Sequence, residues 1–494
     1  MFKPPERAAA VRFDSLGQFL DHLDKAGELR RIKAQVDPDL EITEIADRVM
    51  AAPDGGPALL FENVKGSPFP LAINVFGSAQ RTAWALGAEQ WGELEHRIAA
   101  LLDLVMGGPP QGIRAKLAAL GDLSKVARIQ PRQVSSGPCQ EVVETENPSL
   151  SQIPIQKCWP EDGGRYITMP LVFTHDPATG KRNVGMYRLQ VFDEQTLGLH
   201  WQLHKGGQEH FTRSQGTERL EVAVAVGAEP AMIYAATAPL PPGIDETVFA
   251  GFLRQRPVEM VKAVSVDVQV PASAEFVIEG WVDPAEMRIE GPFGDHTGVY
   301  SLEDPYPVLH VTAVTRRRDP VYISTIVGKP PKEDRFLGGA TERLFLPLVR
   351  LMIPELVDMH LPYDSVFHNF AIVSIRKRYP GHARKVMHAI WGLGQLMFSK
   401  FVIVVDENVD VQNLREVLWR VGNNVDPAYD IELSAGPTDT LDHAAREPNY
   451  AGKIGIDATI KLESEGFRRR WPPDIVMDPT ITKLVDRRWE EYGL

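Results

Sequence analysis

Apolar positions in the first 110 residues follow two rhythms. LGQFLDHLDKA and LEITEIADRVMAA repeat every three to four residues and predict helices, the first capped by Asp14-Ser15 and stopped by Gly27. LRRIKAQV, PALLFENV and PLAINVFG predict strands. A helical pattern then runs from Ala79 to about Met106 and ends at Gly107-Gly108-Pro109-Pro110. Between about Val134 and Thr315 short β-rich runs take over: ITMPLVFTH, NVGMYRLQVF, LGLHWQLHK, LEVAVAVG, AMIYAAT, VDVQVPA, AEFVIEGWV and PVLHVTAVTRR. Turns such as Asp176-Pro177-Ala178-Thr179-Gly180 divide them, and one helical insertion, ETVFAGFLRQ, follows Pro241-Pro242-Gly243. So many evenly spaced strands predict a barrel or a sandwich. Beyond them, VYISTIVG, FHNFAIVSI and KFVIVVD alternate as strands with the helices TERLFLPLVRLMI, GHARKVMHAIWGLGQLM and LREVLWRV about an open sheet. A capped helix leading to RRWEEYGL closes the chain and suits docking or oligomerisation. The expected fold is mixed α/β (α+β), with an N-terminal α/β domain over 1–115, a central β domain over 116–320 and a C-terminal α/β domain over 321–494.

Composition narrows the class. With 494 residues, 44% hydrophobic and 24% charged, the chain is an ordinary globular one, which excludes global disorder. A net charge of −13 argues against nucleic acid or an anionic membrane as the main partner. Two cysteines, Cys139 and Cys158, are too few for a disulfide framework or a Cys-rich zinc site. No run of 18 apolar residues and no signal-peptide core is present, so a cytoplasmic protein is expected. The phosphate-binding G-x-x-x-x-G-K-[ST] and the full G-x-G-x-x-G are missing, and Gly392-Leu393-Gly394 lies in a helical pattern without a third glycine. The hydrolase signatures H-E-x-x-H and G-x-S-x-G are missing too.

Three segments carry candidate chemistry. In RNVGMYRLQVF, Asn183 and Arg188 bracket a β run, and a fixed guanidinium suits a phosphate or carboxylate. A turn Asn and an edge-strand Arg explain the same pattern. A spacing of five puts the two on opposite faces of an ideal strand, so a shared site needs a turn or bulge. In LHWQLHKGG, a continued strand aligns His200, Gln202 and His204 on one face, and with Lys205 and two glycines this face suits a metal and an anion; a half-exposed strand ending in a solvated turn fits equally. In IEGPFGDHTG, the Gly-Pro-Phe-Gly turn returns Glu290 and Asp295 towards one another. Paired carboxylates in unlike environments can separate into an acid and a base, and Arg188 nearby would keep one ionised. Turn capping is the bland alternative.

Together ITMPLVFTHDPATGKRNVGMYRLQV, LHWQLHKGG, EGPFGDHTG, STIVGKPPKED and IRKRYPGHARKVM resemble, in order and spacing, the UbiD family of decarboxylases. The likeness spans essentially the whole chain and looks nearest to the branch acting on 4-hydroxy-3-polyprenylbenzoate in ubiquinone biosynthesis. The resemblance implies a split β-barrel in the central domain holding prenylated flavin mononucleotide, with Mn²⁺ (or Mg²⁺) and in some members K⁺ on its phosphate. Carried over by position, Asn183, His204 and Glu246 match the metal ligands, a donor set that suits Mn²⁺ or Mg²⁺ better than zinc. Met186, Tyr187, Arg188, His200, Trp201, Gln202, Lys205 and Gly206 match cofactor contacts, and Arg188, Glu290 and Asp295 match the catalytic Arg with two acids. The ferulic acid decarboxylase branch has Glu at the last position; Asp295 is one methylene shorter and follows the benzoate branch. Implied partners are an aromatic acid, a flavin prenyltransferase supplying the cofactor, and copies of the chain in a dimer to hexamer. A prenylated substrate would add peripheral contact with the inner membrane, its tail lying along stretches such as AIWGLGQLMFSKF, which core packing explains equally well. An ordinary flavin oxidoreductase and a non-catalytic flavin-binding or assembly protein are the competing readings.

Overall fold

The computed structural model describes residues 12–106, 129–201, 206–214, 219–241 and 243–493. The N-terminal helix Leu16–Lys25 starts where Ser15 Oγ accepts from Gln18 N at 3.2 Å, and it buries Leu16, Phe19, Leu20 and Leu23. The strands Leu29–Ile32, Ala58–Phe61 and Leu71–Ile73 form a small sheet with a fourth member, Tyr322–Ile323, so part of VYISTIVG joins the N-terminal sheet. The expected helix from Ala79 to Met106 is two helices, Ala79–Ala85 and Trp91–Met106. Gly87 breaks it at φ +70°, a left-handed conformation that glycine adopts without a side-chain clash. The proposed stop at Gly107-Gly108-Pro109-Pro110 lies outside the described residues.

Eight central strands form one path among the described residues. Its order is Tyr166–Ile167, Leu189–Val191, Thr196–Leu199, Asp304–Arg316, Phe276–Glu290, Leu220–Val226, Pro170–His175 and Arg182–Gly185, with Val142–Glu144 added beside Asp304–Arg316. Six strand intervals separate Arg182–Gly185 from Leu189–Val191, which would set them about 29 Å apart in a flat sheet. Yet only Met186, Tyr187 and Arg188 join them, and four Cα steps reach at most about 14 Å. The sheet is therefore curled until its ends nearly meet, without pairing between those two strands: a split barrel. This interrupts the expected run NVGMYRLQVF, because Met186 N leaves the ladder to donate to Ala236 O at 3.0 Å. It also resolves the spacing problem, since Asn183 and Arg188 lie on either side of the gap.

Two further expectations are corrected. AMIYAAT is the helix Pro230–Ala235, opened by Pro230 in its first turn and buried throughout; a short run apolar on every side carries no period that separates helix from strand. LGLHWQLHK is a strand over Thr196–Leu199 and leaves the ladder at His200 and Trp201; Gln202, His204 and Lys205, on which the expected alternation depends, lie outside the described residues.

The C-terminal sheet has the order Leu356–His360, Phe370–Ile375, Phe401–Asp406, Tyr450–Asp457, Ile431–Pro437, its three middle strands parallel. Helix His382–Trp391 belongs to the apolar cluster of Val373, Val386, Ile390 and Val402, and Leu414–Asn424 to that of Ile403, Val405 and Val417. Ile390, Trp391, Leu393 and Leu396 pack into the first cluster, so the AIWGLGQLM part of the proposed tail groove is core. Helix Asp334–Met352 ties this region to the rest through Arg350–Glu95 (2.7 Å) and a bond from Phe76 N to Glu333 (2.6 Å). No described helix is long and apolar enough to cross a membrane.

Candidate active site

Arg188 emerges from the gap in the curled sheet and meets the far end of strand Phe276–Glu290. That strand carries two register irregularities, the second between Val282 and Met287, and such bulges re-aim a strand end. Arg188 Nε donates to Glu290 Oε1 at 2.9 Å, Nη2 to Glu290 Oε2 at 3.2 Å and to Ser301 Oγ at 3.1 Å, and Nη1 to Asp295 Oδ2. The guanidinium lies over the Phe293 ring at 4.5 Å and, of its five N–H groups, one has no acceptor among the described residues. Glu290 is fully buried, and Arg188 and Asp295 nearly so.

Each carboxylate has its own imidazole. His200 Nδ1 donates to Glu290 Oε2 at 3.0 Å, and His296 Nδ1 to Asp295 Oδ1 at 2.7 Å. Burial presses the Glu290 carboxyl upward, but the His200 hydrogen bond and the Arg188 charge outweigh it and leave it below the ordinary glutamate range. Burial likewise opposes Asp295, whose bond to His296 and the charges of His296 and Arg188 hold it far below the usual range. Both carboxyls are thus held below their ordinary ranges, because they share one guanidinium and each gains an imidazole donor. His296 is the protonated group: burial lowers it, yet Asp295 raises it to about 9. Burial and Arg188 push His200 below the usual imidazole value, so it is neutral at pH 7.

The loop between the acids is held from behind. Asp162 accepts from Gly294 N at 2.7 Å and from Trp159 N at 2.8 Å, and Gln190 Oε1 accepts from Gly291 N at 2.8 Å. Gly163 N donates to Pro292 O at 2.7 Å, and a Cβ on Gly163 would stand 2.1 Å from Gly291 O, so only glycine permits this approach.

A second cluster lies on the other side of the gap. Val184 N donates to Glu246 Oε2 at 3.3 Å, and Asn183 Nδ2 to the Tyr187 hydroxyl at 3.5 Å, which also accepts from Gly207 N at 3.2 Å. Burial pushes Glu246 up to about 7. Trp201 is buried against Phe211, its indole N–H without a partner among the described residues, close to where the helix Gly206–Ser214 begins. A half-buried carboxyl with no cation in contact among the described residues, an amide oxygen and an indole N–H without a partner among them fit a divalent cation carrying a phosphate. Among the described residues no three His, Cys, Asp or Glu side chains form a metal cluster; His204 is not among them. Arg188 and Asn183 thus serve two clusters, one on each side of Tyr187.

Sequence reasoning passed over His296, though it stands in the GDHTG motif, and Ser301 and Tyr306, which had no motif to mark them. The Tyr306 ring lies 4.1 Å from that of His200, tilted 31° to it. Asp334, pushed up to about 6 by burial, and His368, 6.2 Å from the His296 ring, face the site from the C-terminal side. A cleft of about 570 Å³ lined by His175, Glu221, Lys262 and Asp267 shares no residue with either cluster.

A buried guanidinium thus sits between two carboxylates on the lip of the split barrel, beside a second cluster whose carboxyl and amide could hold a cation. The chain belongs to the UbiD family, a family of carboxy-lyases: three of its domain profiles match, described as 3-octaprenyl-4-hydroxybenzoate carboxy-lyase N-terminal domain (residues 20–101), Rift-related domain (132–330) and C-terminal domain (335–458). Uncharacterized proteins of Archaeoglobus fulgidus and Aquifex aeolicus are 50% and 49% identical over 97% and 98% of this chain and 99% of their own. The closed form of Sedimentibacter hydroxybenzoicus vanillic acid decarboxylase superposes with a TM-score of 0.85 at 28% identity, covering 97% of this chain and 99% of that one. The UbiD-class enzyme HmfF from Pelotomaculum thermopropionicum, in complex with FMN, does so at 0.79 and 32% identity over 96% and 99%. An evolved dimeric form of HmfF is in complex with prFMN.

Proposed function

We propose that this protein removes CO₂ non-oxidatively from an aromatic acid with prenylated FMN, and that its substrate is 4-hydroxy-3-polyprenylbenzoate. The observation that carries the reading is Arg188 between Glu290 and Asp295, with one N–H that has no acceptor among the described residues and would orient a substrate carboxylate. Met186, Tyr187, Arg188, His200, Trp201, Gln202, Lys205 and Gly206 would hold the flavin, and Asn183, His204 and Glu246 a Mn²⁺ or Mg²⁺ ion, with K⁺ where one is bound. The prenylated flavin, when bound, supplies the electron sink for carbon–carbon cleavage. The chain's residues do the rest: they place the carboxylate, exclude water and bring a proton to the carbon that loses CO₂. A small phenolic acid is the second reading, favoured by the vanillic acid decarboxylase superposition and by the apolar stretch that packs as core rather than as a tail groove.

The test is turnover. Protein produced with a flavin prenyltransferase should decarboxylate prenylated 4-hydroxybenzoates with rates that rise with chain length, whereas protein produced without it should be folded and inactive. Full activity with unmodified flavin would refute the cofactor assignment. Turnover of vanillate-type acids alone would move the substrate to the second reading.

A further inference from the structure

Decarboxylation consumes a proton. The carboxylate departs as CO₂ and H⁺ takes its place on carbon, so every turnover must draw one proton from solvent. That requirement rests on the function proposed above, but the path it needs can be sought in the chain alone. Glu290 has no exposed surface and, among the described residues, two hydrogen-bonding side-chain neighbours, Arg188 and His200. Arg188 remains charged and passes no proton. His200 is therefore the exit. Its Nδ1 stands 3.0 Å from Glu290 Oε2, and its Nε2 stands 3.3 Å from the hydroxyl of Tyr306. Tyr306 lies on strand Asp304–Arg316 opposite Arg288, two residues from Glu290 along the partner strand, and is the half-buried, outermost member of the chain. The tautomer that satisfies both contacts carries its proton on Nδ1, donating to the carboxylate, and accepts the phenol proton at Nε2.

We propose that Tyr306 and His200 form the proton-entry relay to Glu290. In loading the carboxylate, the Nδ1 proton moves to Oε2, Nε2 takes the hydroxyl proton, and solvent restores the hydroxyl. The starting tautomer returns when the ring turns toward solvent, Nε2 releases its proton to water and Nδ1 takes one from water. Only N–H and O–H bonds change, and the net event is one proton carried from solvent to Glu290. Asp295 is served separately by His296, with Arg188 dividing the two branches. Neither His200 nor Tyr306 need touch the reacting atoms for this role; they act through Glu290.

The exchange of ring protons in the ¹⁵N-labelled chain, without flavin or substrate, tests the relay directly. His200 should show the Nδ1–H tautomer. Tyr306→Phe should slow exchange of that proton with water by an order of magnitude or more, while Tyr306→His, which keeps a proton-passing ring, should retain it. The His variant also supplies the comparison if the Phe variant does not fold. In the loaded enzyme Tyr306→Phe should lower kcat without raising KM, and added imidazole should restore rate to the variant and not to the parent. An Nε2–H tautomer, or equal exchange in parent and both variants, overturns the relay. If the exchange results hold and no aromatic acid is turned over, the relay stands and the proposed function falls.

Discussion

Replacing Glu290 by glutamine separates folding from chemistry. The amide is nearly isosteric and has one acceptor oxygen. Placed where Oε2 lies, that oxygen keeps the bonds from Arg188 Nη2 and His200 Nδ1, and the new NH₂ then faces Arg188 Nε, which loses its 2.9 Å acceptor. One charge-assisted bond exchanged for a donor facing a donor costs about 2 kcal/mol. Arg188 keeps Asp295 and Ser301, so the larger penalty of a stranded buried charge does not arise. Against a typical stability of about 5–15 kcal/mol the variant folds. The chemistry fares worse, because a positioned proton-transfer group contributes about 10²–10⁴ in rate, or roughly 3–5 kcal/mol of barrier. The assay pairs kcat on an aromatic acid with flavin content and melting temperature of the same preparation. Turnover lost with flavin retained and a few degrees of melting lost is the expected result. Turnover within tenfold of the parent would refute the role, and joint loss of fold and flavin would make Glu290 structural.

Glu246→Ala should release metal and flavin before it affects folding, which metal analysis of the purified protein checks; normal contents would remove Glu246 from the metal shell. Gly163→Ala forces a Cβ to 2.1 Å from Gly291 O, and overpacking of that kind costs about 1–3 kcal/mol; turnover should fall through a displaced Asp295 loop, read as lower kcat at unchanged flavin content. His296 is raised from 6.5 to about 9, so its contribution is complete below pH 6.5 and is lost as pH rises through 9. The loss is at most about 3 kcal/mol, and His296→Gln should flatten alkaline denaturation curves in that window. The C-terminal segment exposes Ile475, Val476, Met477 and Trp489 and buries no residue of helix Pro479–Arg487. Light scattering should therefore report an oligomer, and a monomer mass at micromolar concentration would refute it.

The sequence by itself determined the local elements whose signals are local. Ser15 as cap, the three-to-four residue repeat of Leu16–Lys25 and the β-branched run of Phe401–Asp406 depend only on neighbours in the chain. The site segments were legible too, because GPFGDHTG is a loop of special backbone positions, and the family resemblance rested on such segments. Pattern could not reveal that Pro230–Ala235 is a helix, since burial on all sides erases the period. Nor could it show that the central sheet curls until Gly185 and Leu189 are joined by three residues. That curl sets Arg188 against Glu290, 102 residues away, and Tyr306 against His200. The carboxyl proton states were likewise decided in three dimensions. A pKa follows the charges and donors within a few ångströms, and only the folded chain brings one guanidinium between two carboxylates and gives each its own imidazole.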